Sequence, residues 1–348
     1  MKIAQVAPLF ESVPPQCYGG TERVVSYLTE ELVRQGHQVT LFASGDSVTQ
    51  AHLIAACPRA LRLDEQCVDQ LAQCMVLLEH VFRQAPTFDL LHFHIDYLHF
   101  PLSVRQRVPH VTTLHGRLDI PDLVPVYQTF PSMPVVSISD AQRIPLPGLQ
   151  WQGTVYHGLP EDLYTFQDTP GSYLAFLGRI SPEKGIEQAI AIARQAGMPL
   201  KIVAKIDQVD RAYFQSVVQP LLDDPLVEYL GEMGERDKNA FLGRAYALLF
   251  PIDWPEPFGL VMIEALACGT PVIAYGRGSV PEVVEDGVTG WIVAGRDDAI
   301  QAIAQVSTLS RRRCRQTFEE RFSATQMTQD YLRIYQQLLE PRTTRTAA

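Results

Sequence analysis

Short β-rich apolar runs alternate with helix-like periodic segments along almost all of this 348-residue chain. A sequence that alternates in this way is typical of a parallel sheet covered by helices. The alternation therefore predicts an α/β protein and disfavours all-helical and all-β folds. In the first part of the chain, the predicted strands are Lys2–Ala7, Gln38–Ala43, Phe88–Phe93, Pro109–Leu114 and Pro134–Ile138.

The segment between the first two predicted strands has the pattern of an amphipathic helix. Apolar residues recur at helical spacing from about Gly20 to Arg34, and Gly36 follows as a stop signal. Strand, helix and strand together form a βαβ unit, so we expect neighbouring parallel strands here.

Proline and glycine then cluster between residues 145 and 171, which predicts a change of domain. We expect an amino-terminal domain over 1–158 and a carboxy-terminal one over 159–323. A terminal helix over about 324–340 could pack back on the first domain, and a loose tail should follow it. In the second series, the predicted strands are Ser172–Leu177, Leu200–Ala204, Val227–Leu230, Ala247–Pro251, Pro271–Tyr275 and Trp291–Val293.

Charge and length limit the partners of the chain. A formal net charge of −10 argues against nucleic acid or anionic lipid as the main partner. The sequence contains no run of about 18 apolar residues, so it predicts no membrane helix, and the start of the chain does not resemble a signal peptide. We therefore expect a cytoplasmic protein without stable membrane insertion. The six cysteines show no metal-ligand spacing, so reduced thiols are expected.

The segment 178–185, Gly-Arg-Ile-Ser-Pro-Glu-Lys-Gly, follows an apolar strand and opens a helix. Arg179 is placed at the end of the strand, and Lys184 in the first turn of the helix, where a cation opposes the helix dipole. An anion would compensate both cations, and a forked guanidinium with a mobile ammonium suits a diphosphate. The alternative is a solvated loop with two surface cations.

The segment 254–264, Trp-Pro-Glu-Pro-Phe-Gly-Leu-Val-Met-Ile-Glu, also follows an apolar strand. Glu256 is placed in the loop and Glu264 in the helix after it. The residues around Gly259 bring the first backbone amides of that helix to a position where they could bind an anion. A carboxylate at 264 could accept hydrogen bonds from ribose hydroxyls, or it could only complement the helix dipole.

With these two motifs, the chain resembles the retaining glycosyltransferases of family 4, the glycogen synthase-like type, which have the GT-B fold. The resemblance implies two facing Rossmann-like domains with a cleft between them. Glu256 and Glu264 match the family's glutamate pair, and Arg179 and Lys184 match its basic pair. It further implies that Glu256 stabilises the cationic sugar while Arg179 and Lys184 stabilise the leaving diphosphate.

Other stretches are similar to the same family. Residues 14–22 resemble its glycine loop, 113–116 its active-site histidine, His115, and 276–282 its donor loop, with Gly-Ser where Gly-Gly is more usual. The resemblance implies catalytic roles for Glu256, His115, Arg179 and Lys184. The expected donor-binding residues are Gly19, Gly20, Thr21, Phe258, Gly259, Leu260, Val261 and Glu264, and the acceptor-side residues are Tyr18, His94 and Asp96.

Within the family, residues 14–23, 93–101 and 156–160 are similar to bacterial members that use UDP-glucose, one of which glucosylates a pterin. The expected reaction is transfer of a hexose, with retention, to a small-molecule or saccharide acceptor, without cofactor or metal. A nucleotide-sugar epimerase on the same fold and a non-catalytic nucleotide-sugar sensor are the alternatives.

Two further patterns have competing interpretations. His92 and His94 share one face of a strand and could bind a metal with Asp96. We prefer His94 and Asp96 as acceptor-site groups, and His92 could equally be a hydrogen-bonded core residue. The run 311–313 of three arginines is interpreted as the solvated side of a helix.

Overall fold

The computed structural model describes residues 1–16 and 19–340, except the side chain of Arg236. The chain separates into two compact units. The first contains residues 1–138 and 143–156 and the terminal segment that begins at Ala324, and the second contains 139–142 and 157–323. The terminal helix thus belongs to the same unit as the first strand.

Each unit is built on a parallel sheet. In chain order, the strands are β1 Lys2–Val6, β2 Gln38–Ser44, β3 His52–Cys57, β4 Leu90–Phe93, β5 His110–Thr113, β6 Pro134–Ser137, β7 Gln150–Thr154, β8 Leu174–Arg179, β9 Leu200–Lys205, β10 Val227–Tyr229, β11 Ala247–Phe250, β12 Val272–Tyr275 and β13 Gly290–Val293. The order in space is β3-β2-β1-β4-β5-β6-β7 in the first unit and β10-β9-β8-β11-β12-β13 in the second. Both sheets are Rossmann-like, as predicted.

Helices connect most of the strands. In chain order, they are α1 Gly20–Arg34, α2 Gln70–Gln84, α3 Phe100–Ser103, α4 Leu123–Thr129, α5 Ile186–Ala196, α6 Arg211–Tyr213, α7 Glu235–Gly243, α8 Leu260–Ala267, α9 Val280–Val283, α10 Arg296–Gln305, α11 Arg311–Arg321 and α12 Ala324–Leu339. Helix α1 has the predicted bounds, and Gly36 follows it at φ 85°. None of the helices in the described part of the chain has the length and apolar character needed to cross a membrane.

The sequence did not lead us to predict strands β3 and β7, which lie at the two edges of the first sheet. An edge strand has one neighbour and one exposed side, so it needs fewer apolar residues than a central strand. Strand β7 contains two glutamines, a glycine and a threonine, and all five of its residues are only half buried. Its composition therefore gives little strand signal.

Helix α12 packs against α1 in the first unit. Its aromatic residues Tyr331 and Tyr335 are fully buried. The last helix of the chain therefore belongs to the first unit, although it follows the residues of the second unit in the sequence.

The interpretation of 311–313 as a solvated face is wrong for its first residue. Arg311 is only 6% exposed, and its guanidinium donates hydrogen bonds to the carbonyls of Gln167, Gly243 and Ala245 at 2.6, 2.8 and 3.0 Å. A buried guanidinium needs this many acceptors because an unsatisfied charged donor is costly. Arg312 is exposed, as expected.

Candidate functional site

The two motif-bearing loops of the second unit follow β8 and β11, which are neighbours in the middle of the sheet. The strand order changes direction between these two strands. In open α/β sheets, ligands bind beyond the carboxyl ends of the strands at such a point. The fold therefore brings both sequence motifs to the position where a Rossmann-like sheet binds its ligand.

A glycine allows the two loops to approach each other. Gly185 has φ 72°, and a Cβ atom there would lie 2.0 Å from the carbonyl oxygen of Pro251. Beside it, the backbone N–H of Asp253 donates to the carbonyl of Glu183 at 2.9 Å. No residue with a side chain fits at 185 without moving one loop away from the other.

Lys184 lies before the α-helix and not in its first turn, which corrects the sequence prediction. It ends a short 3₁₀ turn over Pro182–Lys184, and α5 begins only after Gly185, whose positive φ separates the two. From this turn, the Lys184 ammonium forms an ion pair with the carboxylate of Glu256. The basic and acidic motifs are therefore joined directly, and a carboxylate of the protein itself compensates the Lys184 charge.

Trp254 is a site residue that the sequence analysis missed. Its indole N–H donates to the Glu256 carboxylate at 3.0 Å, on the same oxygen that faces Lys184. The Lys184 ammonium also lies 5.3 Å from the centre of the indole ring, within the range of a cation–π contact. Trp254 thus holds both members of the ion pair.

Arg179 lies among carboxylates. Its guanidinium is 2.5 Å from Glu183, 3.4 Å from Asp210 and 3.7 Å from Asp207. Asp207 also pairs with Lys205 at 3.1 Å. The two aspartates follow β9, the neighbour of β8, so their position beyond a strand end was the signal that could have identified them.

The start of α8 has the geometry expected of an anion site. Gly259 has φ 78° and precedes the helix. The backbone N–H groups of Leu260 and Val261, the first two residues of the helix, have no helical carbonyl four residues earlier to which they could donate. Phe258 is buried with its ring centre 4.8 Å from that of His157. The packing of Phe258 therefore fixes the loop directly before the first backbone amides of α8.

Glu264 lies within α8 and is almost fully buried. Lys238 of α7 places its ammonium 3.6 Å from the Glu264 carboxylate. The pairing compensates a charge that would otherwise be costly to bury. Lys238 carried no motif in the sequence and was missed.

The segment 276–282 packs on the Glu256 loop. Gly278 has φ 54°, and a Cβ atom there would lie 2.3 Å from the Glu256 carbonyl oxygen. The N–H of Ser279 donates to that same carbonyl at 3.0 Å, and its hydroxyl donates to the Phe258 carbonyl at 2.8 Å. The serine therefore anchors this segment to the loop.

Glu282 accepts hydrogen bonds from the amides of Asp140 and Ala141 at 2.7 and 2.8 Å. These contacts tie residues 139–142 to the second unit.

In the first unit, the predicted glycine loop leads into α1. The helix begins at Gly20, with Thr21 in its first turn, and a Cβ atom at Gly19 would lie 2.8 Å from that of Pro15. Glu22, also in the first turn, is buried, and desolvation raises its pKa. Tyr18, predicted on the acceptor side, lies outside the described residues.

The predicted acceptor-side and active-site residues of the first unit are close together. Nδ1 of His94 is 2.9 Å from Nε2 of His115, and the backbone of His115 forms a hydrogen bond with the Asp96 carboxylate. Asp96 itself has φ 49°, which is uncommon for a residue other than glycine. The structure thus brings together three residues that the sequence placed at the ends of two neighbouring strands.

His92 has the other of its two predicted environments, that of a hydrogen-bonded core residue. Its ring nitrogens lie 2.6 Å from the Tyr335 hydroxyl and 2.8 Å from the Thr113 hydroxyl, so both are occupied. Among the described residues, no group of three or more His, Cys, Asp or Glu side chains is arranged to hold a metal ion.

The buried histidines of the first unit predict a pH dependence of its stability. Burial lowers the pKa of His115 to about 3 and the pKa values of His92 and His99 well below 6.5. Below about pH 6.5, these histidines become protonated in the unfolded chain, whereas they stay neutral in the folded chain. We therefore expect the free energy of unfolding to fall as pH decreases from about 6.5, by up to about 1.4 kcal/mol per pH unit for each histidine.

Urea denaturation between pH 7.5 and 5.0 measures this slope. His99→Gln should reduce this slope by the contribution of one histidine, because His99 is buried between the hydroxyls of Ser103 and Thr112. His52, exposed on β3, is the control, and His52→Gln should leave the slope unchanged. Equal stability of the wild type at pH 7.5 and 5.0 would show that these rings are protonated in the folded state.

Comparison with known families agrees with this arrangement. Residues 166–321 match the family described as Glycosyl transferases group 1, and residues 18–139 match Glycosyltransferase Family 4. The group 1 match contains both motif loops of the second unit. The family 4 match contains His94, Asp96 and His115.

Solved structures resemble the chain over nearly its whole length. A glycosyltransferase involved in avilamycin A biosynthesis, AviGT4, is 25% identical with a TM-score of 0.75, and the match covers 97% of this chain and 98% of that one. HepE of Anabaena in complex with UDP-glucose is 19% identical with a TM-score of 0.72, covering 97% and 100%. The GT-B fold expected from the sequence is confirmed.

Curated relatives match over a shorter stretch. The D-inositol 3-phosphate glycosyltransferase of Mycolicibacterium smegmatis is 33% identical over 163 residues, which is 43% of this chain and 34% of the relative. The match thus spans about a third of that relative's length. Neither the epimerase nor the sensor alternative finds support among these proteins, and the enzyme class predicted from the sequence is confirmed at the level of family. In its two domain matches and its fold, the chain is thus similar to the GT-B glycosyltransferases of the group 1 and family 4 type.

Proposed function

We propose that this protein transfers a hexose from a nucleoside-diphosphate sugar to a small-molecule or saccharide acceptor, with retention of configuration. The observation that supports it most strongly is the joined site of the second unit, where Lys184, Trp254 and Glu256 meet beside the first amides of α8. A cation, a carboxylate and helix amides in one place suit a substrate that develops negative charge on phosphate and positive charge on sugar.

In this proposal, Arg179, Lys184 and the first amides of α8 stabilise the leaving diphosphate, aided by the amides at Gly19, Gly20 and Thr21. A diphosphate leaving group needs roughly two charges neutralised, which protein cations and helix ends can supply. We therefore propose that transfer proceeds without a divalent metal and survives excess EDTA.

The carboxylates divide the rest of the donor between them. Glu256 binds sugar hydroxyls and stabilises the cationic sugar as the bond to phosphate breaks ahead of attack by the acceptor. Glu264, held by Lys238, accepts hydrogen bonds from the ribose hydroxyls. His115 contacts another edge of the sugar, while His94 and Asp96 take part on the acceptor side.

UDP-glucose is the donor we propose to test first, because HepE, which shares the fold, has been solved with UDP-glucose. Thermal-shift titration with UDP, GDP and ADP would identify the base. Mass spectrometry of cell extract incubated with protein, labelled UDP-glucose and excess EDTA would then identify the product. We expect stabilisation by one nucleoside diphosphate and one new hexosylated product. Donor turnover that occurs only after metal is added back would contradict the proposal.

Trp254 provides a prediction specific to this site. Trp254→Phe keeps a ring beside Lys184 but removes the indole N–H that Glu256 accepts at 3.0 Å. A hydrogen bond to a charged group contributes about 1.5–3 kcal/mol, so kcat for transfer should fall tenfold to hundredfold. Steady-state kinetics with varied donor concentration measures the change.

The control for this variant is Trp291→Phe. The indole nitrogen of Trp291 is buried and makes no hydrogen bond within the described residues, so its loss should leave kcat within about twofold. If both variants retain wild-type kcat, the indole N–H of Trp254 does not support Glu256.

A further inference from the structure

A continuous series of buried hydrogen bonds links His115 to α12 within the first unit. His115 contacts His94 at 2.9 Å, His94 contacts Gln5 of β1 at 2.8 Å, and Gln5 contacts the Tyr335 hydroxyl of α12 at 3.3 Å. Gln5 and Tyr335 are fully buried, and His94 is 2% exposed. A glutamine at a fully buried position of a central strand is unusual, and this one has a partner at each end of its amide.

The rings of His92 and His115 are neutral at neutral pH, because burial lowers the pKa of His115 to about 3 and that of His92 well below its usual value. His94 is only 2% exposed, and its ring contacts the Gln5 amide oxygen and His115, neither of which is an anion, so we treat its ring as neutral as well. A neutral imidazole has one nitrogen that donates and one that accepts. Each ring must therefore adopt one of two tautomers, and its neighbours decide which.

Gln5 determines the tautomers on the His115 side. Its side-chain carbonyl oxygen lies 2.8 Å from Nε2 of His94 and can only accept, so that nitrogen of His94 carries the proton. Nδ1 of His94 is then an acceptor, and Nε2 of His115, 2.9 Å away, must donate to it. Nδ1 of His115 is left as a nitrogen that can only accept a hydrogen bond.

The other end of the amide is consistent with this assignment. Gln5 donates from its amide nitrogen to the Tyr335 hydroxyl, which in turn donates to Nδ1 of His92 at 2.6 Å. Nε2 of His92 then donates to the Thr113 hydroxyl at 2.8 Å. Each of these contacts then joins one donor to one acceptor, so the orientation of one amide sets the direction of all these bonds.

We infer that Gln5 is a positioning residue that fixes His115 in its Nε2–H tautomer, with Tyr335 holding the amide in orientation. The inference deepens the proposed function, in which His115 contacts the donor sugar. With Nδ1 restricted to accepting, a sugar hydroxyl that meets it must be the hydrogen-bond donor. The tautomer itself is a property of the first unit and is measured without any substrate.

The test is long-range proton–nitrogen correlation NMR on protein labelled with nitrogen-15 in histidine, which distinguishes the tautomers of each ring. In the wild type, we expect Nε2–H for His92, His94 and His115. Gln5→Met removes the acceptor, and the nitrogen shifts of His94 and His115 should move towards the average of two tautomers. Gln5→Glu keeps an accepting oxygen in the same place, so Nε2 of His94 should still carry a proton in that variant.

Tyr331→Phe is the matched control for loss of a buried hydroxyl. Tyr331 lies 2.9 Å from the Thr113 hydroxyl, beyond His92, so its replacement should leave the shifts of His115 unchanged. Nδ1–H on His115 in the wild type, which the opposite amide orientation would produce, overturns the inference. Unchanged His115 shifts in folded Gln5→Met also overturn it.

Kinetics separate this inference from the proposed function. If both hold, Gln5→Met should lower kcat/KM for the donor by about tenfold, as expected for one weakened hydrogen bond. If the NMR shifts behave as expected but no nucleotide sugar is bound or turned over, the proposed function fails and the tautomer assignment stands.

Discussion

Glu256→Gln is expected to lower kcat for hexose transfer by roughly a hundredfold or more while changing the KM for the donor by less than about threefold. The substitution keeps the shape of the side chain but removes the charge that faces positive charge on the sugar, an interaction that strengthens in the transition state. It also leaves the Lys184 ammonium without its ion-pair partner. Initial rates at varied donor concentration separate kcat from KM.

Glu264→Gln is the informative comparison for this prediction. An interaction with ribose is the same in the ground and transition states, so this variant should raise the donor KM by about tenfold with little change in kcat. Glu228→Gln, a surface variant on β10, controls for the loss of a carboxylate far from either motif. If Glu256→Gln and Glu264→Gln behave alike, the assigned roles of the two carboxylates are wrong.

Gly185→Ala should be among the most damaging single substitutions in the second unit. The new Cβ atom would lie 2.0 Å from the Pro251 carbonyl oxygen at a φ of 72°. The positive φ costs about 1–2 kcal/mol for alanine, and forced overpacking adds about 1–3 kcal/mol. We expect the unfolding temperature of the second unit to fall by roughly 5–15 °C and binding of the nucleoside diphosphate to weaken at least tenfold.

Gly197→Ala separates the cost of the positive φ from the cost of the close contact with Pro251. Gly197 has a similar φ of 63°, but a Cβ atom there has no neighbour within 4 Å. It should therefore cost only the backbone term and leave nucleotide binding intact. Differential scanning calorimetry and nucleotide titration of the two variants provide the comparison. Equal effects of both would mean that the approach of the loop to Pro251 is unimportant.

The sequence predicted the parts of this structure that depend on local patterns. The central strands are apolar runs with clear ends, and α1 is followed by a glycine that can adopt positive φ, so both were located correctly. The positions of Arg179 at the end of β8 and of Glu256 in the loop after β11 followed from those strands. Edge strand β7 was missed because an exposed edge relaxes the apolar pattern. Strand β3, His-Leu-Ile-Ala-Ala-Cys, is largely apolar and was missed although its composition carries a strand signal.

The partners of the motif residues could not be predicted from the same patterns. Lys184 meets a carboxylate 72 positions away, and Gln5 meets a tyrosine 330 positions away. Such pairs depend on which strands become neighbours, and a single polar residue in an apolar strand carries no periodic signal. Lys238 and Gln5 therefore became visible only through their contacts.

The most direct test of the account is calorimetric titration of the protein with UDP in excess EDTA, performed on the wild type and on Lys184→Ala and Arg179→Ala. The central claim is that protein cations, without a metal, bind the diphosphate of the donor. We predict that the wild type binds UDP in EDTA and that each substitution raises Kd by tenfold to hundredfold without unfolding the protein. The same Kd in the wild type and both variants, or binding that requires added metal, would contradict the account.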